Sequence, residues 1–482
     1  MDTLKQLQPA ELWSNFYSLT QIPRPSGKKK EISDFLFNYG KSLGLETLRD
    51  EIGNVLIRKP ASPGLEDHPG VILQGHMDMV PQKNSDIEFD FQKDPIHAYV
   101  DGEWVTAEGT TLGADNGIGV ATAMTVLADK SLVHPPLEAF FTVDEETGMY
   151  GAFDLKGGWL QGKTLLNLDS EEEGELYVGC AGGVDANITF RFVPQAAPED
   201  LEALKVVVKG CKGGHSGCDI NLQRANANKL LVRWLKQAVA KHGALLASIN
   251  GGSLRNSIPR EAEAVVLVAP EHKQQLISSV EQFDQLFRTE YKGVDDGITL
   301  TATDAQRPSS VIPEEIQDSL IHSLTACPHG VFRMIPEMPD VVETSNNLAM
   351  ITTTEGCVEV CCLTRSSVES RKQELAEMIE SSFALAGAKV EFSGSYPGWK
   401  PNINSPILHT MKSVYEREFG EQPRIITIHA GLECGIIGRN YDGMDMISFG
   451  PTIKHPHSPD EKVNIATVQK FYHLLLATLK EL

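Results

Sequence analysis

The first part of the chain alternates short apolar runs with amphipathic stretches. Residues 71–73, 137–143 and 164–168 have the length and composition of buried β-strands. Residues 31–45 repeat their apolar positions at helical spacing, and residues 117–129 are rich in small side chains that allow close packing on a sheet. This alternation predicts an α/β fold with a mostly parallel sheet and helices on its faces.

The pattern changes near residue 185. Strand-like segments such as 188–193 alternate apolar and polar positions, which is typical of a sheet with one solvated face. After about residue 396 the α/β pattern returns. The sequence therefore predicts a catalytic domain formed by residues 1–185 and 396–482. An α+β domain of residues 186–395 is inserted into it, and its order of strands and helices is consistent with two similar halves.

Composition narrows the range of partners and compartments. The 482 residues carry a formal charge of −22, and so acidic a surface repels phosphate backbones and anionic lipid. Nucleic acid and membranes are therefore poor candidate partners. The N-terminal residues lack a secretory pattern, and no apolar run reaches about 18 residues. Eight cysteines without a Cys-x-x-Cys pair favour a reducing compartment, which makes the cytoplasm the expected location.

Polar side chains that can bind metals follow the apolar runs or begin a predicted helix. The set comprises His76, Asp78, Asp115, Glu145, Glu146, Asp169 and His457. Because ligands bind at the carboxyl ends of strands in α/β folds, we expect these side chains to converge on one pocket. The position of His457 requires both ends of the chain to contribute to that pocket.

The charges of these residues favour a pair of divalent cations. His76 and Asp78 lie two apart, so that His76 can bind a metal while Asp78 fixes the tautomer of its ring. Asp115, Glu146 and Asp169 cannot all ionise at close range without compensation. Two cations that share Asp115 would supply it. Imidazole and carboxylate ligands suit zinc, and they also accept manganese or cobalt.

The order of these motifs resembles the M20 family of dizinc peptidases, in particular its dipeptidases. The resemblance extends over essentially the whole chain and is carried by His76-x-Asp78, Asp115, Glu145-Glu146, Asp169, Gly213-Gly214-His215-Ser216-Gly217 and His457. It implies that His76 and Asp169 hold one zinc ion. It also implies that Glu146 and His457 hold the second, with Asp115 bridging the two.

The resemblance further implies a reaction. Dipeptides with free termini, including those with a C-terminal histidine, would be hydrolysed by a water molecule that the two zinc ions activate. Glu145 would act as the general base. The inserted domain would serve as a lid, through which members of the family often form homodimers.

Five further residues are assigned to the substrate. His215, from the lid, would donate a hydrogen bond to the oxyanion that forms during the reaction. Arg365 would bind the free carboxylate of the substrate through two parallel hydrogen bonds. Asn256 is a second expected contact. His429 and Glu433, in a glycine-rich loop, are assigned to the substrate pocket.

Three alternatives remain open at this stage. A related M20 amidohydrolase, such as an N-acyl amino acid deacylase or a carboxypeptidase, would use the same catalytic groups with different lid contacts. A non-catalytic metal-binding scaffold would have lost Glu145 or a ligand, and the chain retains all of them. A metal-free glycosidase could use Glu145 and Asp169 as its acid pair, but it would leave His76 and His457 without a role.

Overall fold

The computed structural model describes residues 4–482 and divides the chain into two compact units. The first unit comprises the residues up to Gly179 together with Trp399–Thr427 and Leu432–Leu482. The second comprises Cys180–Gly398 and Ile428–Gly431. The chain enters the second unit after Gly179 and leaves it after Gly398, each a few residues from the boundary expected from the sequence. Ile428–Gly431 also belong to the second unit, whereas the sequence prediction placed these four residues in the catalytic domain.

The segment up to Cys180 alternates helices with strands. In chain order it contains α1 (Ala10–Thr20), α2 (Lys30–Ser42), β1 (Glu46–Arg49), β2 (Val55–Lys59), β3 (Val71–His76), β4 (Ala98–Asp101), β5 (Trp104–Ala107), α3 (Ala114–Ala128), β6 (Leu137–Thr142), α4 (Tyr150–Asp154), β7 (Thr164–Asn167) and β8 (Glu175–Cys180). Both helices that the apolar spacing predicts in this segment are present, as α2 and α3.

The middle segment is dominated by strands. It contains β9 (Gly182–Arg191), β10 (Gln195–Ala196), β11 (Glu202–Lys209), α5 (Ala227–His242), β12 (Leu245–Gly251), β13 (Ala262–Val268), α6 (Pro270–Glu290), β14 (Thr299–Asp304), β15 (Ser310–Val311), α7 (Glu314–Ala326), β16 (Gly330–Ile335), β17 (Met338–Thr354), β18 (Cys357–Ser366), α8 (Glu369–Ala384) and β19 (Lys389–Tyr396).

The last segment returns to alternating helices and strands. It contains α9 (Pro406–Phe419), β20 (Arg424–Ile428), α10 (Glu433–Asn440), β21 (Asp445–Ser448), β22 (Ile453–Lys454), β23 (Lys462–Asn464) and α11 (Ile465–Leu479). Over residues 4–482, no helix combines the length and the apolar character needed to cross a membrane.

The main sheet of the first unit has eight strands in the order β1-β2-β6-β3-β7-β21-β8-β20. The four central strands, β6, β3, β7 and β21, are parallel. Antiparallel pairs flank them, at β1–β2 and β2–β6 on one side and at β21–β8 on the other. The α/β class is confirmed, and the centre of the sheet is parallel.

The register of the central strands places their carboxyl ends side by side. His76 of β3 is paired with Thr142 of β6, and Gln74 of β3 is paired with Asn167 of β7. Every residue of β3 and β6 is buried, which explains why both strands read as continuous apolar runs in the sequence. The residues that directly follow β3, β6 and β7 therefore emerge at the same edge of the sheet.

The second unit is built on a nine-stranded sheet. Its strand order is β14-β11-β13-β12-β17-β18-β9-β19, with β16 paired to β17. Buried and more exposed positions alternate along most of β11, as the sequence pattern predicts for a half-solvated strand. Helices α5 to α8 contribute Trp234, Phe287, Leu320 and Phe383 to the core of this unit. The expectation of two similar halves stays a prediction.

Candidate functional site

The first unit brings the predicted ligands into one cluster at the shared edge of β3, β6 and β7. His76 ends β3, Asp169 follows β7, and Asp115 is the second residue of α3. The Nε2 atom of His76 lies 3.1 Å from Asp115 Oδ1 and 3.3 Å from Asp169 Oδ1. All three side chains are buried or nearly so. One histidine therefore contacts two carboxylates through a single ring nitrogen.

The second histidine repeats this arrangement on the other side of Asp115. His457 Nε2 lies 3.0 Å from Asp115 Oδ2 and 3.0 Å from Glu146 Oε2. It stands in the turn between β22 and β23 with a left-handed φ of 58°, an uncommon conformation outside glycine. Asp115 thus meets each histidine through a different oxygen, and each histidine has one further carboxylate of its own.

The donor and acceptor chemistry of the cluster fits bound cations. The Nδ1 atom of His76 lies 3.2 Å from the main-chain oxygen of Asp78, so Nδ1 carries the proton and Nε2 offers a lone pair when the ring is neutral. Carboxylate oxygens can only accept. The buried Oε1 of Glu146 has no hydrogen-bond partner among residues 4–482. His76, Asp115 and Glu146 each offer one ligand atom within 4.8 Å of the others, a grouping that suits a metal ion.

The pKa values of the cluster residues also favour a bound cation. Burial raises the pKa of Asp169 to about 6 and that of Glu145 well above its usual range. Burial also opposes ionisation of Asp115, but hydrogen bonds to His457 and His76 outweigh it and lower the pKa of Asp115. Hydrogen bonds to Asp115 and Glu146 raise the pKa of His457 to about 11. Positive charge close to these carboxylates would therefore stabilise their ionised forms, and bound cations can supply it.

Asp78 has a broader structural role than the sequence predicts. Its carboxylate accepts hydrogen bonds from the main-chain N–H of Glu145 at 3.0 Å and of Glu146 at 3.3 Å. Ser26 Oγ donates to the same carboxylate at 2.7 Å. By contrast, the Asp78 carboxylate is 3.5 Å from His76 Nδ1, farther than its main-chain oxygen. The side chain of Asp78 thus holds the Glu145–Glu146 turn.

Glu433 places a further buried carboxylate near this edge of the sheet. It is the first residue of α10, and its Oε2 accepts hydrogen bonds from Gln74 Nε2 at 2.6 Å and Thr142 Oγ1 at 2.7 Å. Its other oxygen, Oε1, has no hydrogen-bond partner among the described residues. Burial raises the pKa of Glu433 to about 7. One acceptor position therefore remains for a donor.

The second unit contains the remaining assigned residues, beginning with His215. The main-chain N–H groups of Gly217 and Cys218 donate to His215 Nδ1 at 3.2 and 3.1 Å. Nδ1 is therefore unprotonated, and Nε2 carries the hydrogen of the neutral ring. Burial lowers the pKa of His215 to about 4, so the ring is a neutral donor at pH 7. Asn256 is exposed, and its main-chain oxygen accepts from the Ser216 N–H at 2.8 Å.

Arg365 and His429 lie in the same unit. Arg365, on β18, donates from Nη1 to the hydroxyl of Tyr396 at 2.8 Å, and its buried Nε has no partner within residues 4–482. His429 Nε2 lies 2.7 Å from Ser345 Oγ, and burial lowers the pKa of His429 to about 3. The charge of Arg365 contributes to that shift. Arg365 is thus a cation beside two neutral imidazoles, those of His215 and His429. This combination suits an anionic group of a ligand.

Two buried residues that sequence reasoning left without a role hold the segment that precedes Asp115. Glu461 accepts hydrogen bonds from main-chain N–H groups at the start of α3, and Arg24 donates to a carbonyl oxygen of the same segment. Glu461 stands four residues after His457. Its charge was visible in the sequence, but its distant partners were not.

Comparisons with known proteins show similarity over nearly the whole chain. The model of peptidase family M20/M25/M40 matches residues 72–481. The cytosol non-specific dipeptidase of Escherichia coli is 46% identical over 482 residues, which are 100% of this chain and 99% of that protein. The crystal structure of aminoacylhistidine dipeptidase from Vibrio alginolyticus is 47% identical with a TM-score of 0.93, covering 99% of this chain and 98% of that one. Aminopeptidase PepT from Bacillus cereus, at 17% identity, a TM-score of 0.58, and coverage of 98% and 99%, shares the fold.

Proposed function

The chain belongs to peptidase family M20/M25/M40, and we propose that it is a metal-dependent dipeptidase acting on dipeptides with free termini. The observation that carries this proposal is the buried carboxylate of Asp115 between His76 and His457, each with a further carboxylate. The names of the Escherichia coli and Vibrio alginolyticus relatives, a non-specific dipeptidase and an aminoacylhistidine dipeptidase, support a broad range that includes histidine-containing dipeptides.

We assign the cluster to two divalent cations, with zinc as the expected metal and manganese or cobalt as possible substitutes. His76 and Asp169 would hold one ion. Glu146 and His457 would hold the other, and Asp115 would be shared. When bound, such ions polarise a carbonyl and lower the pKa of a water molecule from about 15.7 toward about 7. Of the two neighbouring glutamates after β6, Glu145 would then be the one that is not a metal ligand.

Glu145 is proposed as the general base. Its main-chain N–H is fixed by Asp78, which holds the residue at the turn directly after β6. Its carboxylate would take a proton from the attacking water as the new C–O bond forms. The same carboxyl would then give that proton to the amine nitrogen as the C–N bond breaks. Burial raises the pKa of Glu145, which favours uptake of a proton by its carboxylate.

The remaining residues are proposed to recognise the substrate. The Nε2–H of His215 would donate to the carbonyl oxygen as negative charge develops there. Arg365 would bind the free carboxylate, and Asn256 and His429 would add polar contacts. The buried oxygen of Glu433 that lacks a partner among residues 4–482 would accept from the free ammonium group. A free amine and a free carboxylate would therefore both be required.

A substrate panel tests this proposal. We expect a dipeptide with free termini to be hydrolysed faster than its N-acetylated form by about tenfold to a hundredfold, because acetylation leaves a buried carboxylate without its charged donor. The measurement is kcat/KM for both forms and for N-acyl amino acids. A preference for the acylated compounds would instead support the alternative of an N-acyl amino acid deacylase.

Replacing His215 tests the proposed oxyanion donor. His215→Ala should lower kcat by about 10²–10³-fold, since it removes an oriented N–H donor whose effect is greatest in the transition state. Metal content should be unchanged. His322→Ala, at an exposed position on α7, is the matched control and should behave as wild type. Equal kcat values for the two variants would exclude His215 from catalysis.

Location and assembly are proposed from the relatives and the family. We place the protein in the cytosol because the Escherichia coli relative is named a cytosol dipeptidase. The homodimer that the family resemblance implies stays a prediction.

A further inference from the structure

One carboxylate organises the main chain that carries Asp115. Oε2 of Glu461 accepts hydrogen bonds from the N–H groups of Leu112 at 2.8 Å and Gly113 at 2.9 Å. Oε1 accepts from those of Ala114 at 2.8 Å and Asp115 at 3.2 Å. The side chain of Glu461 is buried. Four consecutive N–H groups therefore converge on a single side chain that is distant in sequence.

Arg24 holds the same segment from its carbonyl side. Its Nη2 donates to the main-chain oxygen of Gly113. Its Nη1 donates to the main-chain oxygens of Met77 at 3.1 Å and Asp78 at 3.0 Å, directly after His76. A Cβ atom at Gly113 would lie only 2.6 Å from Nη2, so glycine is needed there to admit the guanidinium. Arg24 thus connects the end of β3 to the segment before Asp115.

The arrangement goes beyond an ordinary helix cap. Asp115 and Asn116 have non-helical φ/ψ values inside α3. The N–H groups that Glu461 binds therefore belong to the residues just before this distorted turn and to Asp115 itself. A cap residue normally satisfies one such donor. Arg24 and Glu461 are both buried, and they attract one another electrostatically. Buried charges are costly unless they are compensated, and both of these side chains are hydrogen-bonded to main-chain groups.

We propose that Arg24 and Glu461 are positioning residues that fix Asp115 relative to His76 and His457 before either cation binds. We call the two residues the Arg24–Glu461 clamp. The proposal rests on the metal assignment made above. Asp115 and His457 are 342 residues apart in sequence, so local chain geometry cannot set the distance between them. Glu461 accepts hydrogen bonds from the segment that carries Asp115, and it stands four residues after His457.

The consequence of losing the clamp concerns metal affinity. In Glu461→Gln the amide nitrogen cannot accept a hydrogen bond, and its own N–H groups face two of the four donors. In Arg24→Lys a single ammonium replaces the fork that reaches three carbonyl oxygens. Each change should allow Asp115 to move. We expect the affinity for at least one cation to fall by about 10- to 100-fold, as is common when residues that support metal ligands are replaced.

The test is titration of the metal-free full-length protein with cobalt(II) chloride. The visible absorption of bound cobalt reports the coordination of each ion, and calorimetry gives the affinities. Neither readout depends on turnover. Wild type, Glu461→Gln and Arg24→Lys are compared, with circular dichroism to establish that each variant is folded at the titration temperature.

Glu138→Gln is the matched control. Glu138 is also a buried carboxylate of the first unit, near the start of β6, at the opposite end of that strand from Glu145. It accepts from the main-chain N–H groups of Gln161 and Gly162, each at 2.8 Å, and pairs with Arg58 Nε at 2.8 Å. The control should lose stability and keep the cobalt affinity of wild type.

Each outcome decides the matter. Weaker cobalt binding in the clamp variants, with Glu138→Gln unaffected, supports the proposal. Wild-type affinity in Glu461→Gln, or an equal loss in Glu138→Gln, overturns it. If Glu461→Gln does not fold, the cobalt affinities of Arg24→Lys and Glu461→Asp are judged by the same criterion. If none of these variants folds, the two residues are needed for folding, which contradicts a role confined to positioning. A wild type that binds no cobalt contradicts the metal assignment itself.

Discussion

Glu145→Gln is expected to lower kcat by about 10²–10⁴-fold while the protein keeps its metal ions. Glutamine preserves the size of the side chain but cannot accept a proton from the attacking water. The main-chain N–H of Glu145 would still donate to Asp78, so the turn that also carries Glu146 should keep its conformation. The loss should therefore be in chemistry, with thermal unfolding and metal content close to wild type.

The measurement pairs steady-state kcat on a free dipeptide with elemental analysis of the same preparation. Glu172→Gln is the control, because Glu172 belongs to a nearby acidic run and its carboxylate makes a partly exposed ion pair with Lys454 at 2.6 Å. Surface changes of this kind are usually within about 0.5 kcal/mol of neutral. Near-normal turnover in Glu145→Gln would remove Glu145 as the base.

The strands of the central sheet, and the polar residues at their ends, could be predicted because their physical signal is local. A strand buried on both faces must be apolar along its length, so β3, β6 and β7 stand out, and the first polar residues after them mark the edge of the sheet. The register that aligns His76 with Thr142 then brings these residues together.

Contacts between side chains and main-chain groups of distant segments could not be predicted. The sequence shows that Glu461 and Arg24 are charged, but their partners are main-chain groups of residues 112–115 and 77–78, which carry no side-chain signature. The role of Asp78 was incomplete for the same reason, since its carboxylate binds main-chain N–H groups. In the second unit, a glycine-rich turn alone does not reveal the tautomer of His215. That conclusion requires the N–H groups that point at Nδ1.

Asp115→Asn is expected to remove at least one cation and to lower turnover by on the order of 10³-fold. Asp115 meets His76 through Oδ1 at 3.1 Å and His457 through Oδ2 at 3.0 Å. Asparagine keeps one oxygen, and its amide nitrogen cannot serve as the second shared ligand. The protein should then retain no more than one tightly bound ion per chain after dialysis, against two for wild type.

Asp129→Asn is the control for this change because it lies at the far end of the same helix. The Asp129 carboxylate accepts from Ser131 N at 2.8 Å, away from the cluster, and its replacement should leave metal content unchanged. Two retained ions with near-normal turnover in Asp115→Asn would contradict a shared carboxylate, and active wild type without metal would favour the metal-free alternative. Glu145→Gln should lose turnover and keep metal, whereas Asp115→Asn should lose both, so the two variants together separate proton transfer from metal binding.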